Sequence, residues 1–346
     1  MRNNAAVSYF GLDSEIDSFD KIKNDILTTR KVEYAIADKN LLAKLEIDIE
    51  DERLRMESYW EDDYTMLSQT INAIEEGSIE VEMLVANAVV PRKSQTVWNA
   101  TRTDLLPHEK NVHEEKIQVV FFKTKNTFSY TVRTKDKVLL QRINENLIGN
   151  DLYQQKTIDD LRLFSWIYWK YSDSKKLDSS FEVPFMTAFV GNIGDTNDDS
   201  KITGKSEDIS QMGAIDLHIA TDEKIKTVGL KLLEKNNSDD LYEIQFKFDN
   251  ELTLVIDASK TTLPDGITHI DVNDEHDYIE DRNKHYIGKI VFVYAYVIPK
   301  LETLFASDEA NFEDHYMEFR NQRAIEVYKK LIRSGIKKET FKDVEG

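Results

Sequence analysis

Ala214–Ala258 reads AIDLHIATDEKIKTVGLKLLEKNNSDDLYEIQFKFDNELTLVIDA, and this stretch decides the fold class. Val228, Leu230 and Leu232 alternate with Thr227, Gly229 and Lys231. Ile244, Phe246 and Phe248 alternate with Glu243, Gln245 and Lys247. Leu217 and Ile219 alternate with Asp216 and His218 in the same way, and Leu252, Leu254 and Ile256 close the set. Period-two alternation marks a sheet with one buried and one wet face. The links Thr221–Lys224, Lys235–Asp240 and Asp249-Asn250 are short and polar, and an Asp-Asn pair suits the positive φ angles of a tight hairpin turn. The pattern predicts four antiparallel strands over 214–258, with Leu217, Leu230, Phe246 and Leu254 inward.

Working outward, Ser14–Arg30 is predicted as a helix capped by Ser14, with Ile16, Phe19, Ile22 and Ile26 as its apolar stripe. Val32–Ala37 and Lys44–Ile49 alternate like strands, and Asp62–Glu76 has the acidic start and glycine stop of a helix. Ile79–Val90 is rich in branched residues and reads as extended. Between 92 and 115 the periodicity fades among Pro91, Pro107 and polar residues. A hairpin is predicted over Lys116–Arg133, and helices over Lys135–Leu147, Thr157–Tyr171 and Asn311–Ser334. Periodicity leaves Ile287–Ile298 open between a buried strand and a buried helix. The expected class is α+β: a mixed helix and strand region over 1–110, then an antiparallel meander packed with helices over 111–346, with the boundary in the 92–115 loop.

Composition narrows the function classes. With 346 residues and 40% apolar side chains the chain has ample core. It has no cysteine, which removes disulfides, thiolate metal sites and cysteine nucleophiles together. The longest apolar stretch, Ile287–Phe305, is interrupted by Lys289, Pro299, Lys300 and Glu302, and Met1-Arg2-Asn3-Asn4 is not followed by a signal core. A cytoplasmic protein without a membrane segment is expected. A net charge of −19 disfavours broad contact with nucleic acid or anionic lipid.

The motifs that carry chemistry are incomplete. Asp195, Asn197 and Asp199 occupy positions 1, 3 and 5 of a calcium-type loop. Ser200 stands where the turn wants glycine, and Glu207 falls one residue late, so a solvated polar loop is the plainer reading. His269, His276 and His285 lie among acids without a metal-ligand spacing. Asp216, Glu243 and Lys247 could form the acid and Glu-x-Lys set that holds Mg²⁺ in a nuclease or phosphodiesterase, but the spacing is E-x-Q-x-K, and outer sheet faces carry alternating charge without function. Gly204-Lys205-Ser206 is the tail of a phosphate loop without its glycine head. The aromatics Phe164–Trp169 read as core before they read as a base-stacking platform.

One segment runs against the acidic trend. Between 320 and 338 there are seven bases, among them Arg320, Arg323, Lys329, Lys330 and Arg333, and a single acid, Glu326. Such a patch suits a protein partner, a second copy of the chain or a phosphate backbone, and it also complements the helix dipole. Reversing Arg323, Lys330 and Arg333 is expected to change stability little, because they lie off the apolar stripe. The sequence-level expectation is a non-enzymatic cytoplasmic interaction or scaffold subunit, of the kind a bacterial or phage-encoded anti-phage defence system uses. No cofactor is expected; Ca²⁺ and Mg²⁺ are the ions that the partial motifs would take. The alternatives are the Mg²⁺-dependent nuclease and an acidic nucleic-acid mimic that inhibits a basic partner.

Overall fold

Val119, Val120, Phe121 and Phe122 are consecutive, and all four are buried, because the sheet that holds them is covered on both faces. The structure is a computed structural model that describes residues 6–35, 37–73, 77–124, 127–192, 201–205, 209, 213–235, 241–263, 267–271 and 281–336. The first seven strands are β1 (Ser8–Leu12), β2 (Arg30–Tyr34), β3 (Arg55–Ala73), β4 (Gly77–Lys93), β5 (Val112–Thr124), β6 (Thr127–Val132) and β7 (Tyr153–Gln155). A second sheet follows with β8 (Phe181–Asn192), β9 (Lys201–Lys205), β10 (Ile225–Lys235), β11 (Leu241–Asp249) and β12 (Leu254–Ile256). β13 (Ile267–Asp271) returns to the first sheet, whose order is β13-β3-β4-β5-β6-β1-β7 with β2 also on β3. The second sheet runs β12-β11-β10-β8-β9, and the strand pairs of both sheets are antiparallel. The class is α+β, as the sequence pattern predicts.

Helix α1 (Phe19–Lys21) continues through the wide turn Ile22–Ile26. Helices α2 (Lys39–Lys44) and α3 (His108–Asn111) flank a small cluster around Leu42, Leu54 and Trp98. Helix α4 (Lys137–Arg142) continues through Ile143–Ile148. Ile22, Ile26, Leu139, Ile143 and Leu147 from the α1 and α4 segments cover one face of the first sheet, against Leu84, Ala86, Ala88, Val119 and Phe121. The other face, with Met83, Val85, Val120 and Phe122, meets the central core. There lie α5 (Arg162–Asp173), α6 (Gly213–Ala220), α7 (Asp281–Phe292) and α8 (Ile298–Arg333). The inward residues of the second sheet, Val228, Leu230, Ile244, Phe246 and Phe248, close that core from the far side. Val7 and Leu254 exchange two 2.8 Å backbone hydrogen bonds and tie the edge of one sheet to the edge of the other.

Residues 287–298 are helical. Ile287, Ile290, Val291, Val293, Tyr294, Val297 and Ile298 are all buried between the two sheets, and a helix that is apolar all round has no stripe to read. The turn Val293–Val297 bonds the Ile298 N–H to the Val293 carbonyl, an i→i+5 step just before Pro299, which has no N–H to give.

Three predicted elements are corrected. The first meander strand is α6: Ile215 and Ile219, one turn apart, are buried, while Leu217 is 46% exposed. The i,i+4 spacing won because Asp216 finds cations on α8, which no local pattern reveals. The helix predicted at Asp62–Glu76 is β3, paired with β4 from Tyr59 to Ala73. Leu67 and Ile71 fit either period, and the acidic start, Glu61-Asp62-Asp63, is a bulge opposite Asn87. Lys44–Ile49 is the end of α2 and a turn through Glu46, whose φ is 54°, and Ile49 is exposed. The predicted 214–258 strands other than the first are present as β10, β11 and β12 with Leu230, Phe246 and Leu254 inward. The excursion 94–111 leaves and re-enters the first sheet between β4 and β5, which pair with each other.

Candidate functional site: a lysine-lined groove

The second sheet packs its apolar face inward and leaves the other face uncovered by any helix among the described residues. Its register builds a groove there. Across the five strands, Val255, Lys247, Gly229, Ala188 and Lys205 stand in one row. Gly229 and Ala188 keep the floor low between two lysines. A Cβ on Gly229 would stand 2.8 Å from Thr187 Oγ1, so a larger residue would raise the floor and displace the wall. The next outward row is Gln245, Lys231 and Phe185. Lys260, on the short turn Ala258–Lys260, closes one end. The resulting groove has a volume of about 880 Å³.

Its lining carries Lys205, Lys231, Lys247 and Lys260 against one acid, Asp257. Lys231 is held 2.5 Å from Glu243, and Lys260 lies 4.0 Å from Asp257. Among the described residues, Lys205 and Lys247 make no ion pair. Phe185 is 42% exposed in the groove wall. The ammonium groups of Lys175 and Lys231 stand 5.6 and 5.9 Å from its ring centre, which keeps cations over an otherwise wet aromatic. A protein of net charge −19 thus presents here a concave surface of opposite sign. The arrangement can attract an anion, anchor an apolar group beside it and donate hydrogen bonds.

The sequence candidates fall in different places. Lys247 lines the groove and Glu243 stands on the same wet face, four residues back along β11. Asp216 does not join them. It is on α6, on the helical side of the sheet, 2% exposed. Its carboxylate accepts from Lys330 Nζ at 2.8 Å, Tyr168 Oη at 2.9 Å and Arg323 at 3.5 Å. Burial, and then the Asp216 charge, push the Tyr168 phenol well above its usual value, so it stays protonated and donates. His218, on the next turn side of α6, is buried against Gly191, where a Cβ would lie 2.0 Å from its ring.

The basic patch is correspondingly divided. Arg320 reaches the Ala220 carbonyl and Asp222, while Arg323 and Lys330 hold Asp216. Tyr316 donates to Asp222 at 3.0 Å, and burial with that bond leaves its phenol pushed up to about 12. The expectation that reversing Arg323 and Lys330 leaves stability unchanged is thus corrected: they neutralise a buried carboxylate. Lys329 and Arg333 remain at the surface, Lys329 with Glu326 at 2.7 Å.

Asp195, Asn197 and Asp199 lie outside the described residues, as does His276. Among the described residues, no three His, Asp or Glu side chains converge as a metal-ligand set. Phe164, Trp166 and Tyr168 are core, as their helical spacing predicts. Arg282–Arg333 is a helix long and apolar enough to cross a membrane, with 61% of its most apolar stretch buried inside the protein.

Lys231, Lys260 and Phe185 are not singled out as site residues by the sequence, and Lys205 enters there only within the incomplete phosphate-loop tail Gly204-Lys205-Ser206. The outward alternation of Lys231 and Lys247 was a usable signal, but β8 and β9 join the row only through long-range pairing. No protein-family model matches the chain, and no curated protein matches it.

Proposed function

We propose that the protein is a non-enzymatic interaction subunit that holds an acidic segment of a protein partner in the groove on the second sheet. The observation that carries this reading is the set of four lysines and one exposed aromatic on a single concave face of a strongly acidic chain. A short acidic peptide suits this better than nucleic acid. Polyphosphate binding rests on many phosphate contacts along an extended strand, and a net charge of −19 opposes it beyond the groove. A short segment feels mainly the local field, because charges farther than a Debye length of about 8 Å are screened. Its carboxylates would meet Lys205 and Lys247, and an apolar side chain would lie on Phe185.

The test is fluorescence anisotropy with a labelled ten-residue peptide of Asp and Glu around a central Phe, beside a labelled single-stranded oligonucleotide of equal charge. The wild type is expected to bind the peptide at low salt. The double change Lys205→Glu and Lys247→Glu is expected to weaken it by about tenfold or more, with a control reversal at Lys21 on the other side of the molecule leaving it intact. Absence of peptide binding, or equal binding by the double variant, overturns the proposal. A preference for the oligonucleotide overturns the choice of partner.

A further inference from the structure

Helix α8 is buried only as far as Phe319, yet it runs on to Arg333. Phe312, Phe319, Arg323 and Lys330 share the side that meets the body and α6. On the opposite side, successive turns carry Met317, Asn321, Ala324, Tyr328 and Ile332, with Ile325 beside them. Met317 is 62% exposed, Ile325 52% and Tyr328 36%. With Ile336, four of the ten large apolar side chains exposed among the described residues fall within this one segment. Scattered exposed apolar residues need no explanation, but a stripe at helical spacing marks a contact surface.

The charges beside the stripe say what covers it. Exposed Asp314 and Glu318 lie at its N-terminal end, and exposed Lys329 and Arg333 at its C-terminal end. Two such helices in parallel would set acid on acid and base on base. Two in antiparallel array, related by a two-fold axis near Ala324, set each acidic end on the other's basic end. Met317 then faces Ile332, and Asn321 faces Tyr328. A two-fold contact requires a self-complementary surface of this kind. We infer that this stripe is the interface of a homodimer in which the C-terminal halves of two α8 helices pack antiparallel. The inference is independent of the groove, which lies on the far face of the second sheet. A single helix pair is at the small end of specific interfaces, below about 1,200 Å² in total, so a reversible, concentration-dependent dimer is expected.

Sedimentation velocity on the full chain from roughly 1 to 100 µM tests it. The wild type is expected to pass from one-chain to two-chain mass over that range, and less readily in high salt. Ile325→Glu is expected to stay monomeric with an unchanged thermal melt, since the side chain is already exposed. Glu318→Lys is expected to weaken the dimer by about tenfold, and adding Lys329→Glu in the same chain is expected to restore it, because the swap rebuilds both pairs across the axis. A wild type that remains monomeric overturns the inference, whether residues 337–346 or another protein's helix then cover the stripe. So does a charge swap no better than the single reversal, or a dimer indifferent to Ile325→Glu.

Discussion

The two sheets are built from the same antiparallel pairing and differ in what covers them. The centre of the first is buried on both faces, by the α1 and α4 segments on one side and the central helices on the other, while β2 is exposed at its edge. Among the described residues the second is buried on one face only, and its other face carries the lysines, Phe185 and the groove. Where both faces are packed there is no free surface on which to meet a ligand, so that part of the sheet holds the scaffold. A sheet with one bare face can change every second residue without disturbing the core. That freedom is where four lysines could be set side by side in a chain that is otherwise acidic.

The sharpest test of this contrast compares neighbours along one strand. In the first sheet, Phe121 and Phe122 point to opposite faces and both are buried, so Phe121→Ala and Phe122→Ala are each expected to cost about 3–5 kcal/mol. In the second, Phe246→Ala is expected to cost the same, but Lys247→Ala within about 0.5 kcal/mol. Urea denaturation of the four variants reads the difference. A large loss at Lys247 would mean that the wet face is packed after all, and the contrast would fall.

Next in size is Arg323→Glu, expected to cost about 3 kcal/mol, because it sets a carboxylate against buried Asp216 and removes one of its cations. Lys329→Glu, a few residues on and at the surface, is expected to stay within about 0.5 kcal/mol in the monomer. Thermal melts at a low protein concentration separate the two. Equal losses would show that Asp216 does not depend on the clamp from α8.

The same contrast explains what was legible beforehand. β10 and β11 alternate cleanly because one of their faces is wet, and their register with Leu230 and Phe246 inward could be read from local sequence. β3 reads as a helix in local sequence because Leu67 and Ile71 satisfy both periods, and only the long pairing with β4 selects the strand. α6 reads as a strand because Asp216 and His218 alternate with Leu217 and Ile219, yet its buried residues are Ile215, Asp216, His218 and Ile219. Asp216 and His218 are inside and Leu217 is outside, and Asp216 is held there by Tyr168, Arg323 and Lys330 from distant elements. The groove was hidden for a similar reason. Lys247 stood out as a charge on an outer face, but Lys205 and Phe185 become its neighbours only when β8 and β9 add to the sheet.

A middle-sized effect concerns how α8 is fixed to the core on the helical side of the second sheet. Asp308 accepts from Trp166 Nε1 at 2.8 Å, Lys170 Nζ at 2.7 Å and Asn311 at 2.9 Å. Burial raises its carboxyl pKa, but the bonds from Lys170, Trp166 and Asn311 outweigh it and hold the group below its ordinary value of 3.8. A depressed native pKa means that the native state binds the proton less readily than the unfolded chain. The stabilisation is therefore present above the ordinary value and is lost as pH falls through the native one. Asp308→Asn is expected to cost about 1–2 kcal/mol at neutral pH and to flatten the decline of stability below about pH 4. Parallel pH curves for variant and wild type would remove Asp308 from the acid response.

The smallest expected effect bears on the groove wall itself. Phe185 is a large aromatic left 42% exposed beside Lys231 and Lys175. If the face is bare because it meets a partner, this ring contributes little to folding, and Phe185→Ser is expected to lower stability by only about 0.5–1 kcal/mol, the scale of an exposed cation–aromatic contact. Peptide binding should suffer more than stability, since an exposed ring is the group an incoming apolar side chain would cover. Thermal melts and anisotropy on the same variant give both numbers. A loss of stability matching that of Phe246→Ala would place Phe185 in the core and leave the second sheet with no bare face. An unchanged affinity with a small loss of stability would keep the bare face and remove the aromatic from recognition, leaving the lysines to act by charge alone.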